Sequence, residues 1–566
     1  MFKKSTLIIK KPLVVLIAIL LLASVLRVYK VSSLPLGLNI DEVSQGYNAY
    51  SLLLTGRDRY GKLFPILFKS YESFQPPLYT YLTVFPMFLF GKTNFSVRFV
   101  SITSQLVVVC LTFLIMEKVF SKRKMLSLLS AFVVSISPWS IFFSRYATEA
   151  SLGLVLILGS IYFLITTERK KLRIITAFLL LGLSTHAYYT EKVVSFLLLF
   201  GYTVIDWKLI RDNKKTFIVG FFLFAVLLSP HLYMINKGAF FRRFDQVTYL
   251  DSSSFDKFGG KYQGDMFGRF VYIAREFASQ YVAYYSPKNL FFIPDSQQGR
   301  SVPNLSVFYS WMFVPFLAGI AFLIKEKISK NQKLLLWTMF VSVIPAALSR
   351  DAFYTIRTLL FLWFVSLLIG IGIGYFYEKF NRKRTGCLIL LIITMLSLFD
   401  LHRKYFVMFG YERASAFGGF DKVIADYIKN DEKEVLVDLS ERDLATGLRM
   451  VYYLDFEPKK FQDEIGYKYL DNYYTGYDVE TQYNLGNVQV RPIIWEEDVY
   501  KRQLIVGDSI SISDSQVLEH KLQLLYEFNF FDGGRSIRVF TTNPLSKCEA
   551  GPEMNKDDDK CFHYLE

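Results

Sequence analysis

The chain has 566 residues, 52% of them hydrophobic and 17% aromatic, with a formal net charge of +15. That apolar content excludes an ordinary soluble protein of this size and points to many membrane spans. Four cysteines exclude a disulfide scaffold, and no basic stripe beside a nucleic-acid motif accompanies the charge, so nucleic acid is not an expected partner. The charge is divided unevenly. Residues 403–566 hold 20 Lys+Arg against 30 Asp+Glu, so residues 1–402 hold the remaining 45 and 20.

Eleven apolar runs of bilayer-spanning length lie near 12–29, 96–117, 125–143, 149–166, 172–189, 192–210, 215–236, 304–325, 332–349, 355–378 and 385–402. The first is read as a retained anchor, because no small-residue cleavage site follows it. A twelfth run, 77–90, is shorter and carries a second proline at Pro86. With eleven spans, the basic clusters around Lys10, Lys124, Lys171, Lys214, Lys327 and Lys383 all fall on the cytoplasmic side. A crossing at 77–90 would move every cluster after the first outside. The run is therefore expected to lie at the outer face without crossing, with Pro77 well placed to start a helix. This topology puts loop 30–95, short turns near 144–149 and 186–192, loop 237–303 and the acidic C-terminal region outside the cytoplasm.

In loop 30–95, Asp41 and Glu42 begin a segment with helical spacing at Val43, Tyr47 and Leu54. Adjacent carboxylates at a helix start are read either as caps favoured by the helix dipole or as reactive groups. In loop 237–303, Phe240 to Phe244 and Phe267 to Phe277 are aromatic and basic, and the second stretch has the spacing of a surface helix. It is read as a lid or as a packing helix. The C-terminal region alternates helix and strand signals: helices over 421–430 and 443–454, and strands over 434–439, 488–494, 504–507, 522–530 and 536–541. The last two strands flank a hairpin signal at Asp532. Cys110 and Cys387 are read as packing residues. Cys548 and Cys561 flank a polar tail, and the sequence leaves a disulfide between them open.

The order of motifs carries a family resemblance. Asp41-Glu42 is followed by Tyr-x-x-Tyr-Ser-Leu-Leu-Leu-Thr-Gly-Arg-Asp (47–58), Gly-Lys-x-Phe-Pro (61–65), Gln-Pro-Pro-Leu-Tyr-Thr-Tyr-Leu (75–82) and Phe-Gly-x-x-x-Phe-Ser-Val-Arg (90–98). This resembles the first outer loop of GT-C glycosyltransferases, within them the protein O-mannosyltransferase and lipid A aminoarabinose transferase group. Further matching pieces are Ser-Arg-Tyr-Ala-Thr-Glu (144–149), His-Ala-Tyr-Tyr-x-x-Lys (186–192), Tyr-Ser-Pro-Lys-Asn-Leu-Phe-Phe (285–292) with Arg300, and Pro-Ala-Ala-Leu-Ser-Arg-Asp with Arg357 (345–357). Together they cover roughly residues 10–430.

The resemblance implies a GT-C fold for the polytopic α-helical membrane domain over residues 1–402, while the mixed helix and strand signals and the span count predict a soluble extracytoplasmic α/β domain over 403–566. It implies a sugar donor linked to polyprenyl phosphate and an acceptor that is a glycan, a lipid or a protein. Such a reaction needs a carboxylate to take the nucleophile's proton and cations to offset charge on the leaving phosphate. Asp41 is the candidate base, with inversion at the anomeric carbon, and Glu42 a supporting residue. Lys69, Arg145, Lys192, Arg300, Arg350 and Arg357 are the candidate phosphate cations, against the alternative that they reach lipid headgroups. Glu149 is either a second acidic site residue or the i, i+4 partner of Arg145. Tyr188 and Tyr189 are donor contacts or part of an interfacial aromatic belt.

No histidine pairs with another His or Cys at ligand spacing, so no cofactor is certain; a divalent cation on Asp41 and Glu42 with the donor phosphate stays open. Two other readings are weighed. A secondary transporter predicts inverted repeats and mid-membrane polar residues, which the sequence does not display. A non-catalytic scaffold with a partner-binding outer domain predicts that the acidic pair is dispensable.

Overall fold

A computed structural model describes residues 12–121, 123–166, 171–250, 266–380, 382–439, 445–476, 480–529, 536–549 and 561. The chain divides into two compact units. One comprises Met1–Val31, Pro65–Lys69 and Ser73–Val407; the other comprises Ser32–Phe64, Ser70–Glu72 and Met408–Glu566.

The first unit is a helical membrane protein. Each of the eleven apolar runs contains a helix, and proline or polar residues break several of them. The run 125–143 is split into Lys124–Ile136 and Pro138–Phe142, since Pro138 cannot donate to the preceding turn. The segment 77–90 forms a helix, Pro77–Phe90, with a proline in its first turn. Among the described residues, four helices are long and apolar enough to cross a membrane by length and composition: Asn94–Val119, Lys214–Asn236, Thr355–Lys379 and Lys383–Glu412.

Burial separates these helices. Leu359–Gly374 is buried at every position, whereas Lys214–Asn236 shows a mostly exposed apolar surface, as a lipid-facing helix does. The buried helix is held close to Phe313–Lys325 by glycines: a Cβ on Gly372 would lie 1.7 Å from the Pro315 carbonyl oxygen, and one on Gly319 2.0 Å from that of Leu368. Small residues let helix backbones approach where lipid offers no competing hydrophobic drive.

Polar contacts join further helices inside this unit. Arg27, fully buried, donates to the Ser135 carbonyl at 3.1 Å and to Ser140 Oγ at 2.6 Å. Ser140 Oγ donates to Gln105 Oε1, and Gln105 Nε2 donates to Ser151 Oγ, each at 3.1 Å.

The second unit contains a six-stranded sheet. Its order is Tyr483–Leu485, Val488–Val490, Glu434–Val437, Gln503–Asp508, Ile537–Thr541, Gln523–Phe528. Glu434–Val437 pairs in parallel with both neighbours, Leu436 lying opposite Gln489 on one side and Ile505 on the other. The remaining pairings are antiparallel. Ile505, Ile512, Leu522 and Phe540 form a core against one face of the sheet. Cys548 and Cys561 are disulfide-bonded.

The expected helices over 421–430 and 443–454 are Gly419–Ile428 and Thr446–Tyr453. Four of the expected strands are present in shortened form and the one over 504–507 extends to Gln503–Asp508, while the hairpin signal at Asp532 lies outside the described residues. The sequence reading missed strand Tyr483–Leu485, whose three residues are too few for alternation to register.

Candidate active site

Helix Ile40–Thr55 places the acidic pair, and its start is explained by Asn39. Asn39 Oδ1 accepts from the Glu42 amide at 2.8 Å, and Glu42 Oε2 accepts from the Asn39 amide at 3.0 Å. This reciprocal capping box satisfies two of the donors every helix start leaves over. Glu42 is fully buried, whereas Asp41, one residue earlier on the helix, is exposed. Capping, weighed above for Asp41, is done by Asn39 with Glu42. The Asn-x-x-Glu spacing is the signal in the sequence for this cap, and the expectation of a cap at Asp41 missed it.

The helix is clamped by residues distant in sequence within the same unit. Tyr47 Oη donates to the Phe456 carbonyl at 3.0 Å, and Gln462 Nε2 lies 3.0 Å from Ser51 Oγ and 2.9 Å from the Asp58 carbonyl. Asp58 is completely buried; its carboxylate accepts from Tyr473 Oη at 2.5 Å and from the amides of Tyr60 and Lys62. Burial outweighs those three bonds and pushes its pKa up to about 6. Arg59, also buried, donates to Ser44 Oγ at 3.1 Å and Tyr60 Oη at 2.7 Å. Before the helix, the Leu38 carbonyl accepts from Arg449 Nε at 2.8 Å, and Arg449 also pairs with Asp421 at 2.7 Å.

The remaining candidates lie in the first unit. Lys69 is buried on strand Phe68–Ser70. Arg145 is buried in the turn before helix Glu149–Ile165. Its Nη1 donates to the carbonyls of Leu26 and Arg27 at 3.2 and 3.1 Å, and its guanidinium stacks 4.7 Å from the Phe406 ring centre. A cation on the last carbonyls of a helix offsets the negative end of its dipole. Glu149 is buried in the first turn of its helix, after the Thr148 cap. One turn on, a Cβ at Gly153 would touch Glu191 and Tyr188, so this helix packs against the start of helix Tyr189–Ile205.

On that helix Lys192 Nζ lies 4.5 Å from the Tyr189 ring centre, and Tyr189 Oη donates to the Phe74 carbonyl at 2.8 Å. Arg300 and Arg357 come together on Tyr354, their guanidinium carbons 3.5 and 3.9 Å from its ring centre. Arg300 is held by both oxygens of Asp295, each at 3.2 Å, and by Asp351 at 3.3 Å. Burial works against its charge, but Asp295 more than compensates and raises its pKa. Arg350 is exposed, and its amide donates to the Val247 carbonyl at 3.0 Å.

Thus Tyr188, Tyr189, Lys192 and the helix of Glu149 share one neighbourhood, and Arg300 shares another with Arg357. Asp41 and Glu42 belong to the second unit. Among the described residues, no group of three or more His, Cys, Asp or Glu side chains is placed to hold a metal ion.

Residues 74–234 match the model of a family described as dolichyl-phosphate-mannose-protein mannosyltransferase. The fold matches ArnT from Cupriavidus metallidurans in its apo state with TM-score 0.51 and 12% identity, covering 93% of this chain and 97% of that one. The chain shares the fold of this ArnT, and the family match is confined to residues 74–234. The same ArnT bound to undecaprenyl phosphate matches this chain with TM-score 0.50, 12% identity and the same coverage. An oligosaccharyltransferase from Archaeoglobus fulgidus matches at TM-score 0.45 and 12% identity, over 78% of this chain, which spans 61% of that longer chain. No curated protein sequence matches this chain. The family match contains Arg145, Glu149, Tyr188, Tyr189 and Lys192, and excludes Asp41, Glu42, Lys69, Arg300, Arg350 and Arg357.

Proposed function

We propose that this protein is a GT-C glycosyltransferase that moves a sugar from a polyprenyl-phosphate carrier to an acceptor at the outer face of the cell membrane, with inversion and with Asp41 as general base. The observation that carries the assignment is the division of labour in the acidic pair. Glu42 is buried in the capping box with Asn39, and Asp41 is the exposed carboxylate at the positive end of the same helix. Asp41 accepts the proton of the attacking acceptor group as its oxygen or nitrogen bonds to the anomeric carbon. The bond from that carbon to the carrier phosphate breaks, and the phosphate leaves as an anion.

The cations Lys69, Arg145, Lys192, Arg300, Arg350 and Arg357 are the set from which the phosphate contacts come, with Tyr188 and Tyr189 beside them. The complex of ArnT with undecaprenyl phosphate supports the donor class. In this proposal residues 1–402 form the catalytic domain, with eleven spans, a cytoplasmic N-terminus and residues 403–566 outside the cytoplasm. The outer domain holds or selects the acceptor, a glycan, lipid or protein. A divalent cation, if used, would rest on Asp41, Glu42 and the donor phosphate, and chelation of the purified protein reads its need directly.

The test is transfer in nanodiscs from polyprenyl-phosphate sugars to a panel of lipid, glycan and peptide acceptors, followed by mass spectrometry, with the product's anomeric configuration read by NMR. Transfer with inversion is expected. Absence of transfer from every polyprenyl-phosphate donor refutes the donor class, and retention of configuration refutes the single displacement.

A further inference from the structure

A cavity of about 350 Å³ lies in the second unit, between the end of helix Ile40–Thr55 and helix Pro458–Glu464. That volume falls in the range of small-molecule sites. Gln462, a buried residue of its wall, ties the two helices together: its Nε2 lies 2.8 Å from Thr55 Oγ1 and 3.0 Å from Ser51 Oγ. The two walls are therefore fixed relative to each other. Arg57, Glu457, Lys459 and Tyr467 also line the cavity, and all four are exposed.

Polar groups around the cavity are left without protein partners. Arg57 donates from Nη1 to the Gly61 carbonyl at 2.9 Å, and its other N–H groups meet no acceptor among the described residues. Glu457 holds the cap position of Pro458–Glu464 without a side-chain capping bond. Lys459 is paired with Asp463 at 2.9 Å, so the charge of the lining balances, with Arg57 against Glu457. Balanced charge does not select a phosphate or an acidic peptide. A lipid chain would strip water from these groups and return no hydrogen bond. Tyr467 adds an aromatic ring, 38% exposed, that packs on Gly61, where a Cβ would lie 2.2 Å from its Cε1.

A sugar residue fits this set. Its hydroxyls donate to a carboxylate and accept from a guanidinium, and its C–H face packs on an aromatic ring. We propose that the cavity binds one sugar residue of a neutral oligosaccharide, the acceptor of the transfer reaction. The proposal rests on that reaction as given above and deepens it, choosing a glycan among the acceptor classes. Position adds a constraint. Asp41 stands in the first turn of helix Ile40–Thr55 and Thr55 is its last residue, so cavity and base lie about 20 Å apart along the helix. An acceptor engaged at both must be several sugar residues long, and a monosaccharide cannot reach both.

The fluorescently labelled full chain in nanodiscs, applied to an array of neutral oligosaccharides of graded length with phosphorylated glycans and acidic peptides beside them, tests this. Affinities for the retained members are then measured, with thermal melting of each variant. The wild type is expected to retain neutral oligosaccharides. Tyr467→Ala should bind them at least tenfold more weakly, whereas Tyr467→Phe, which keeps the ring, should stay within about threefold of wild type. Glu457→Ala should bind severalfold more weakly at unchanged melting temperature, since it removes no capping bond. In the transfer assay, Tyr467→Ala should raise KM for a retained oligosaccharide at least tenfold with kcat unchanged, and alter neither constant for a monosaccharide acceptor.

Retention of no neutral oligosaccharide by the folded wild type overturns the site. So does retention that Tyr467→Ala and Glu457→Ala both leave unchanged. Binding confined to acidic peptides or phosphorylated glycans overturns the assignment to a neutral glycan. If Tyr467→Ala melts lower and loses binding only in proportion to lost folded protein, Glu457→Ala decides: unchanged affinity refutes the site, and weaker affinity upholds it. Equal rises in KM for monosaccharide and oligosaccharide acceptors refute the remote position. Binding that depends on Tyr467 and Glu457, in a protein that transfers from no polyprenyl-phosphate donor, upholds the sugar site and refutes the reaction on which its acceptor role rests.

Discussion

The two members of the acidic pair make opposite predictions, and the capping geometry gives their sizes. Glu42→Ala removes the acceptor of the Asn39 amide and leaves the Asn39 side-chain bond in place. Losing one hydrogen bond of a cap costs about 0.5–2 kcal/mol. Glu42→Gln keeps an oxygen at the same position and loses only the charge at the helix start, about 0.3–1 kcal/mol. Its turnover should stay within about threefold of wild type, since a Gln at this position completes the same capping box. Asp41→Asn alters an exposed side chain and should change stability by less than about 1 kcal/mol.

A general base, however, contributes roughly 10²–10⁴ in rate, equivalent to about 3–5 kcal/mol of barrier. Turnover measured in nanodiscs at saturating donor, beside thermal melting of each variant, separates the two quantities. The expected pattern is an inactive, folded Asp41→Asn, an active Glu42→Gln and a destabilised Glu42→Ala with turnover close to normal per folded molecule. Full turnover by Asp41→Asn refutes the base. A hundredfold loss in Glu42→Gln with unchanged melting refutes the structural role given to Glu42.

Asp58 links the second unit's stability to pH. Its folded pKa, about 6, lies above the ordinary 3.8, so its contribution is fully present below about pH 3.8 and lost as pH rises through 6. The shift corresponds to about 3 kcal/mol; Asp58→Asn should flatten that part of the melting-temperature profile between pH 4 and 7, and an unchanged slope would contradict it. Gly372→Ala should destabilise the first unit by about 1–3 kcal/mol because the added carbon meets backbone, whereas Gly299→Ala, with nothing within 4 Å, should stay within about 0.5 kcal/mol on the same melting measurement. Arg300→Lys cannot keep both Asp295 oxygens and the Tyr354 face, and should lower stability by about 1–3 kcal/mol; an unchanged melting temperature would show that the Asp295 pairing contributes nothing.

Much of the first unit was legible because a membrane span is a local property: about twenty apolar residues suffice to announce one, and every apolar run contains a helix. The helix start at Pro77 was equally local, since proline acts within one turn, whereas the Asn39 cap of the second unit, just as local, was missed in favour of Asp41. Burial of charge was not legible in this way. Arg27 lies inside an apolar run and drew no notice, yet it is the hub of a polar network, because its acceptors come from residues more than a hundred positions away. Likewise nothing in the sequence marked Asp58 or Asp295 as buried, and only their partners Tyr473 and Thr355 reveal them as buried and paired.

The sequence alone determined that this chain is a membrane protein with an acidic pair near the start of a helix, because hydrophobic length and a two-residue motif are carried by neighbours along the chain. Tertiary structure decided which carboxylate is locked in a cap and which is exposed, and it gathered residues 32–64 into the same unit as the C-terminal sheet. It also decided which cations meet carbonyls, carboxylates or rings. Such choices depend on which distant groups share a desolvated space, and that is a property of packing that no local spacing records.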